Sequence, residues 1–120
     1  MMEINYNLTI NKEFEQYLIE RTERKVAFPT FGMDTNVQYR FKFPNGYGAS
    51  VIKGSGSYGG TLNLWELALL GMDGHLLYTD LVGNDVLGFL TDSEVNKVLE
   101  MIYSGKIDED FNPYISYYND

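Results

Sequence analysis

The sequence predicts an α+β fold: an antiparallel meander of about four to five strands with an N-terminal helix and a C-terminal helix. Three observations carry this. Residues 37–43 alternate, with Val37, Tyr39, Phe41 and Phe43 on one face and Gln38, Arg40 and Lys42 on the other, which is the period of a half-buried strand. Turn chemistry recurs at short intervals, in Pro44-Asn45-Gly46 and Gly71-Met72-Asp73-Gly74, as hairpins require. Thr91-Asp92-Ser93-Glu94 is a capping box, and Val95, Val98, Leu99 and Ile102 follow it at helical spacing.

From the N-terminus, residues 3–10 place Ile4, Tyr6, Leu8 and Ile10 against Glu3, Asn5, Asn7 and Thr9, which predicts a strand. Asn11 then caps a predicted helix with Phe14, Tyr17 and Leu18 as its apolar stripe and a Glu20–Arg24 pair, ending near Lys25. Residues 27–32, with Pro29 and Gly32, form a connection. The 37–43 strand turns at Pro44-Asn45-Gly46 and returns over Ala49 to Lys53. After the Gly-Ser loop 54–60, Thr61 to Leu70 is a third strand of the meander and His75 to Thr79 a fourth. Residues 84–90 predict a short helical turn, and Gly105 closes the C-terminal helix in the left-handed conformation.

Hairpin register gathers Val37, Tyr39, Phe41, Phe43, Ala49, Val51, Trp65, Leu67, Leu69, Leu76 and Tyr78 on one core face, interrupted by Asn63 and Lys53. The other face is mixed: Arg40, Lys42, Ser50, Glu66 and His75, with an apolar strip at Leu62, Leu64, Ala68 and Leu70. Residues 1–105 form one domain, and 106–120 an acidic, aromatic tail.

Composition narrows the function. The chain has 120 residues, no cysteine and one histidine, which excludes disulfides, thiolate chemistry and multi-histidine metal sites. No apolar run approaches the ~18 residues of a membrane-spanning helix, and the first residues lack the pattern of a secretory signal. The net charge of −8 is uneven. Residues 1–60 hold seven basic and six acidic side chains, residues 61–120 two and eleven, and no Lys or Arg lies between Gly54 and Asn96. An acidic surface disfavours direct binding to nucleic acid or anionic membrane and suits a basic protein partner. Ten tyrosines add contact area with polar tips.

The motifs carry little chemistry. Gly54-Ser55-Gly56-Ser57-Tyr58-Gly59 matches G-x-G-x-x-G, but a strand rather than a helix is predicted to follow, so it is a hairpin connection. Glu66 is a carboxylate inside an apolar strand, matched by Arg40, Lys42 or His75 as a salt-bridge partner or, with His75, as a general acid–base pair. Asp80, Asp85, Asp92 and Glu94 lack calcium-loop spacing, and no metal or other cofactor is expected.

The run Phe43-Pro44-Asn45-Gly46-Tyr47-Gly48-Ala49-Ser50-Val51-Ile52, followed by Ser57-Tyr58-Gly59-Gly60, Leu64-Trp65-Glu66-Leu67-Ala68 and residues 85–91, resembles a group of small phage and prophage proteins. The resemblance implies a bacterial cytoplasmic setting and an accessory protein that binds a host component, and the lack of a complete nucleophile, metal or cofactor constellation points to a non-enzymatic one. A defence system such as a CRISPR effector is one target of that kind. Tyr114, Tyr117, Tyr118, Asp108, Glu109 and Asp110 are the expected contacts to a basic, nucleic-acid-binding host protein. The alternative is a nucleotide-binding protein using Arg40, Lys42, Tyr58, Glu66 and His75 around the Gly-Ser loop. A homodimer is compatible with either, through the apolar strip and the tail.

Overall fold

Apolar alternation sets the sheet. The computed structural model describes residues 3–30, 32–71, 73 and 86–105. Among these residues, five antiparallel strands lie side by side in chain order: β1 (Leu18–Thr30), β2 (Met33–Lys42), β3 (Gly48–Lys53), β4 (Trp65–Leu70) and β5 (Val86–Leu90). Helix α1 (Asp92–Tyr103) follows β5 and packs against β3, β4 and β5. Among the described residues no helix is long and apolar enough to cross a membrane.

The predicted core face is the observed one. Val37, Tyr39, Phe41, Phe43, Ala49, Val51, Trp65, Leu67 and Leu69 are all buried. Their register agrees, with Tyr39 opposite Val51, Phe41 opposite Ala49, and Val51 opposite Leu67. Leu76 and Tyr78, with the whole 75–79 strand, lie outside the described residues. Helix α1 places Val95, Val98, Leu99 and Ile102 on this face. Its capping box is complete: the Thr91 hydroxyl accepts from the Glu94 N–H, and the Glu94 carboxylate accepts from the Thr91 N–H. Gly105 takes φ 78° just past the helix. The Asn45 side chain donates to the carbonyl of Ile102, so the β2–β3 turn pins the end of α1.

Both ends of the meander differ from the expectation. The predicted helix over 11–25 is a 3-10 turn, Lys12–Tyr17, followed by β1. The stripe of Phe14 and Tyr17 fills that single turn, where both rings meet Phe43. Beyond it the long edge of β2 needs a partner, and residues 18–30 supply it. Tertiary pairing overrides the local helix signal. The expected Glu20–Arg24 pair is absent because the two sit on a strand, and Arg21 pairs with Glu23 at 3.2 Å instead. The predicted connection over 27–32 contracts to a turn at Gly32, φ 77°, since β1 continues to Thr30 and β2 begins at Met33.

At the other end, residues 86–90 form β5 instead of a helical turn, because Leu87 and Leu90 pair with Leu67 and Trp65 of β4. The strand expected over 61–70 starts at Trp65. Residues Gly60–Leu62 form a 3-10 turn that ends at Asn63, φ 63°.

Residues 3–11 are extended but belong to no strand. Their alternation survives: Leu8 is buried, and Tyr6 and Ile10 pack against the core. Their backbone bonds go to side chains. Asn63 Oδ1 accepts from the Asn5 N–H, and Lys53 Nζ donates to the Asn5 carbonyl. The Tyr39 hydroxyl accepts from the Leu8 N–H and donates to the Tyr6 carbonyl, to which Arg21 also donates. Asp92 accepts from the Thr9 N–H, while Asn96 accepts from the Asn11 N–H and donates to the Thr9 carbonyl. The segment is a strap laid across the core face, level with α1.

Candidate functional site

With the strap and α1 on one side, the other side of β1–β3 is polar. Its cross-strand rows are Glu20–Arg40–Ser50, Thr22–Gln38–Ile52 and Arg24–Asn36. Gln38 donates to Ser50 Oγ at 2.8 Å. Beside this face runs a groove of about 470 Å³. Its polar lining comes from Glu20, Thr22, Arg24, Asn36 and Gln38, and Gly54, Gly56 and Ser57 of the Gly-Ser loop form one wall. Arg24, Arg40 and Lys42 make no ion pair among the described residues.

The residues expected to hold a nucleotide are not gathered in this groove. Arg40 and Lys42 lie on the same face of β2 but do not line the groove, although Arg40 shares its row with the lining residue Glu20. Glu66, half-buried on β4, is the cross-strand partner of the groove residue Ile52 but does not itself line the groove. Its partner is neither Arg40 nor Lys42 but the Tyr58 backbone N–H, at 2.9 Å. The carboxylate therefore anchors the loop to β4. The Tyr58 side chain points out to solvent and does not line the groove. His75 and the tail residues Asp108, Glu109, Asp110, Tyr114, Tyr117 and Tyr118 lie outside the described residues.

The apolar strip expected on this face is not exposed along β4, where Ala68 and Leu70 are buried. Among the described residues the large exposed hydrophobics lie at Ile19 and Phe28 of β1, at Tyr103 of α1, and as a group of three at the far edge, Tyr58, Leu62 and Phe89. The backbone brings them together. The Phe89 N–H donates to the Tyr58 carbonyl, and the Leu62 N–H to that of Gly59. A Cβ on Gly88 would collide with the Tyr58 Cβ, and one on Gly59 would lie 2.8 Å from the Phe89 Cα. Between the pairs Trp65–Leu90 and Leu67–Leu87 the ladder is irregular, and Gly88 and Phe89 bulge out of β5. Phe89 takes φ 59° there, a strained conformation for a bulky side chain, and the residue is 52% exposed. Within 54–96 the charged residues are acidic throughout, and Glu94 sits in the first turn of α1, close after β5.

Phe89 escaped the sequence reading because 84–90 looks helical, which hides a bulge. Arg24, Asn36 and Thr22 escaped it because β1 looks helical, which hides its outer face. On the core side, Lys53 is buried at 2% exposure. Burial pulls its ammonium below the ordinary value, against the attraction of Asp92. Among the described residues no cluster of three or more His, Cys, Asp or Glu side chains is arranged to hold a metal ion. The chain matches no family model, no curated protein and no solved structure.

Proposed function

We propose that this is a non-enzymatic accessory protein of the phage type that binds a basic surface of a host protein. The patch of Tyr58, Leu62 and Phe89 is its contact, and the acidic residues of the second half are its electrostatic complement. The observation that carries this is Phe89: an aromatic side chain held in a left-handed backbone and directed into solvent. Strain of this kind persists where function requires it. An exposed patch of two aromatic side chains and a leucine within 54–96, where every charged residue is acidic, suits an interface centre with electrostatic steering. Within this proposal Asp108, Glu109, Asp110, Tyr114, Tyr117 and Tyr118 add acidic and aromatic contacts, and a nucleic-acid-binding defence protein is a fitting basic target.

The test is affinity capture from lysate of the bacterial host with the parent protein and with Phe89→Asn, followed by measured binding of the purified captured protein. The expected result is a stoichiometric partner whose affinity falls with salt and falls again with Phe89→Asn. Equal affinity of parent and variant overturns the assignment.

The groove beside β1–β3 favours a second reading, a small anionic ligand such as a nucleotide phosphate held by Arg24 and the Gly-Ser wall. A thermal-shift panel of nucleotides tests it, since a ligand of the native state raises Tm by mass action. An Arg24→Ala variant must then lose the shift.

A further inference from the structure

Beyond partner binding, we propose that the seat of the N-terminal strap is an exchange site for the same segment of a second copy. Two chains would then form a dimer by swapping residues 3–11. The seat recognises backbone. Six side chains from later in the chain, Arg21, Tyr39, Lys53, Asn63, Asp92 and Asn96, bond the N–H or carbonyl groups of Asn5, Tyr6, Leu8, Thr9 and Asn11. Tyr6, Leu8 and Ile10 supply the apolar side of the same contact.

Three features make the strap exchangeable. It contributes no rung to the sheet, so lifting it leaves every strand pair intact. Its base is fixed: Phe14 of the following 3-10 turn is buried, and Asn11, extended at φ −57° and ψ 140°, is the joint between strap and turn. The empty seat would leave Lys53 and Asn96, both buried, without their strap partners, which is costly for buried polar groups. Any chain that restores those bonds is therefore recaptured. A second copy has the identical segment, so each strap can sit on its own chain or the other's with the same contacts. Concentration then sets the balance, and a two-fold exchange closes the dimer.

The chain has no cysteine, which permits a clean test. Asn7 Oδ1 and Glu23 Oε1 both meet Arg21 Nη2, at 3.4 and 3.2 Å, and neither Asn7 nor Glu23 is one of the six seat side chains. Asn7→Cys and Glu23→Cys proteins are mixed in equal amounts over a concentration series and treated with a short thiol–thiol crosslinker. The double variant at low concentration serves as the intramolecular standard. Exchange predicts a crosslinked heterodimer whose ratio to monomer rises about tenfold for a tenfold rise in concentration. An intramolecular link in the double variant with no heterodimer at any concentration overturns the proposal. Light scattering on the unaltered protein supplies a second readout. A dimer fraction that rises with concentration alongside the crosslink supports exchange, and a monomer at every concentration overturns it.

Discussion

Lys53 Nζ stands 4.1 Å from the ring centroid of Trp65, and the pair lies at the centre of the core face under the strap. The ammonium meets two oxygens, the Asn5 carbonyl and Asn63 Oδ1, and no carboxylate within ion-pair distance among the described residues. A buried charge satisfied in this way is held by geometry, and its protonation is coupled to folding.

The first prediction concerns pH. Burial lowers the Lys53 pKa from 10.5, so the folded chain holds this proton less tightly than the unfolded one. Below the folded value both states are protonated, and the burial penalty on the charge is felt in full. As pH rises from the folded value towards 10.5, folding gains stability, and above 10.5 the gain is complete. In Lys53→Met the methylene stem still packs on Trp65 but nothing titrates. Denaturant unfolding of parent and variant across alkaline pH should show the parent gaining on the variant. A constant difference between them would show that the burial has no electrostatic consequence.

The second prediction concerns Asp92. Its carboxylate accepts from the Trp65 indole N–H at 2.7 Å and from the Thr9 N–H at 2.8 Å, and it lies in the first turn of α1. Asp92→Asn places an amide donor against one of these donors and removes charge from the helix N-terminus. The expected loss is about 1–3 kcal/mol. Unfolding followed by fluorescence reports it directly, because Trp65 is the only tryptophan.

Lys53 and Asp92 also mark how far the fold is legible in the sequence. Alternation over 37–43 and 49–53 places Lys53 on the core face, since strand period and turn length together fix which side a residue faces. The capping box over 91–94 places Asp92 in the first turn of α1. The strap that both residues hold is not legible. An extended segment paired to side chains has the same period as one paired to a strand, so it reads as a strand. The errors at 12–25 and 84–90 have one cause. Phe14, Tyr17 and Leu18 fit one helical turn locally, but the path of residues 18–30 is decided by the open edge of β2, which no local window contains. Likewise Gly88-Phe89 looks like a turn unless β4 is known to lie beside it. The groove and the aromatic patch both depend on those two segments, so neither could be assembled from the sequence.

The third prediction separates the glycines of the 54–60 loop. Gly60 is buried, and a Cβ there would run into the backbone carbonyl of Gly54, which no side-chain rotation can relieve. Gly60→Ala should cost about 1–3 kcal/mol through overpacking. Gly56 has nothing within 4 Å of the same position, and Gly56→Ala should fall within about 0.5 kcal/mol of the parent. Equal destabilisation of both would mean that the loop needs flexibility rather than close approach.

The last prediction tests whether strain at Phe89 serves binding. Its φ of 59° suits Asn or Gly far better than Phe, and the half-exposed residue contributes little to the core. Phe89→Asn should leave stability unchanged or raise it by about 1 kcal/mol, as relief of a strained backbone does. The same substitution should weaken the captured partner by about tenfold or more, the loss expected of an aromatic interface anchor. Phe28 is the control: it is 88% exposed on β1, at the opposite edge of the sheet from β5. Phe28→Ser should leave affinity unchanged. Calorimetry and binding isotherms on the two variants decide between two roles for Phe89. A stabilised protein that no longer binds assigns the strain to recognition. A destabilised protein that binds as before assigns Phe89 to the fold.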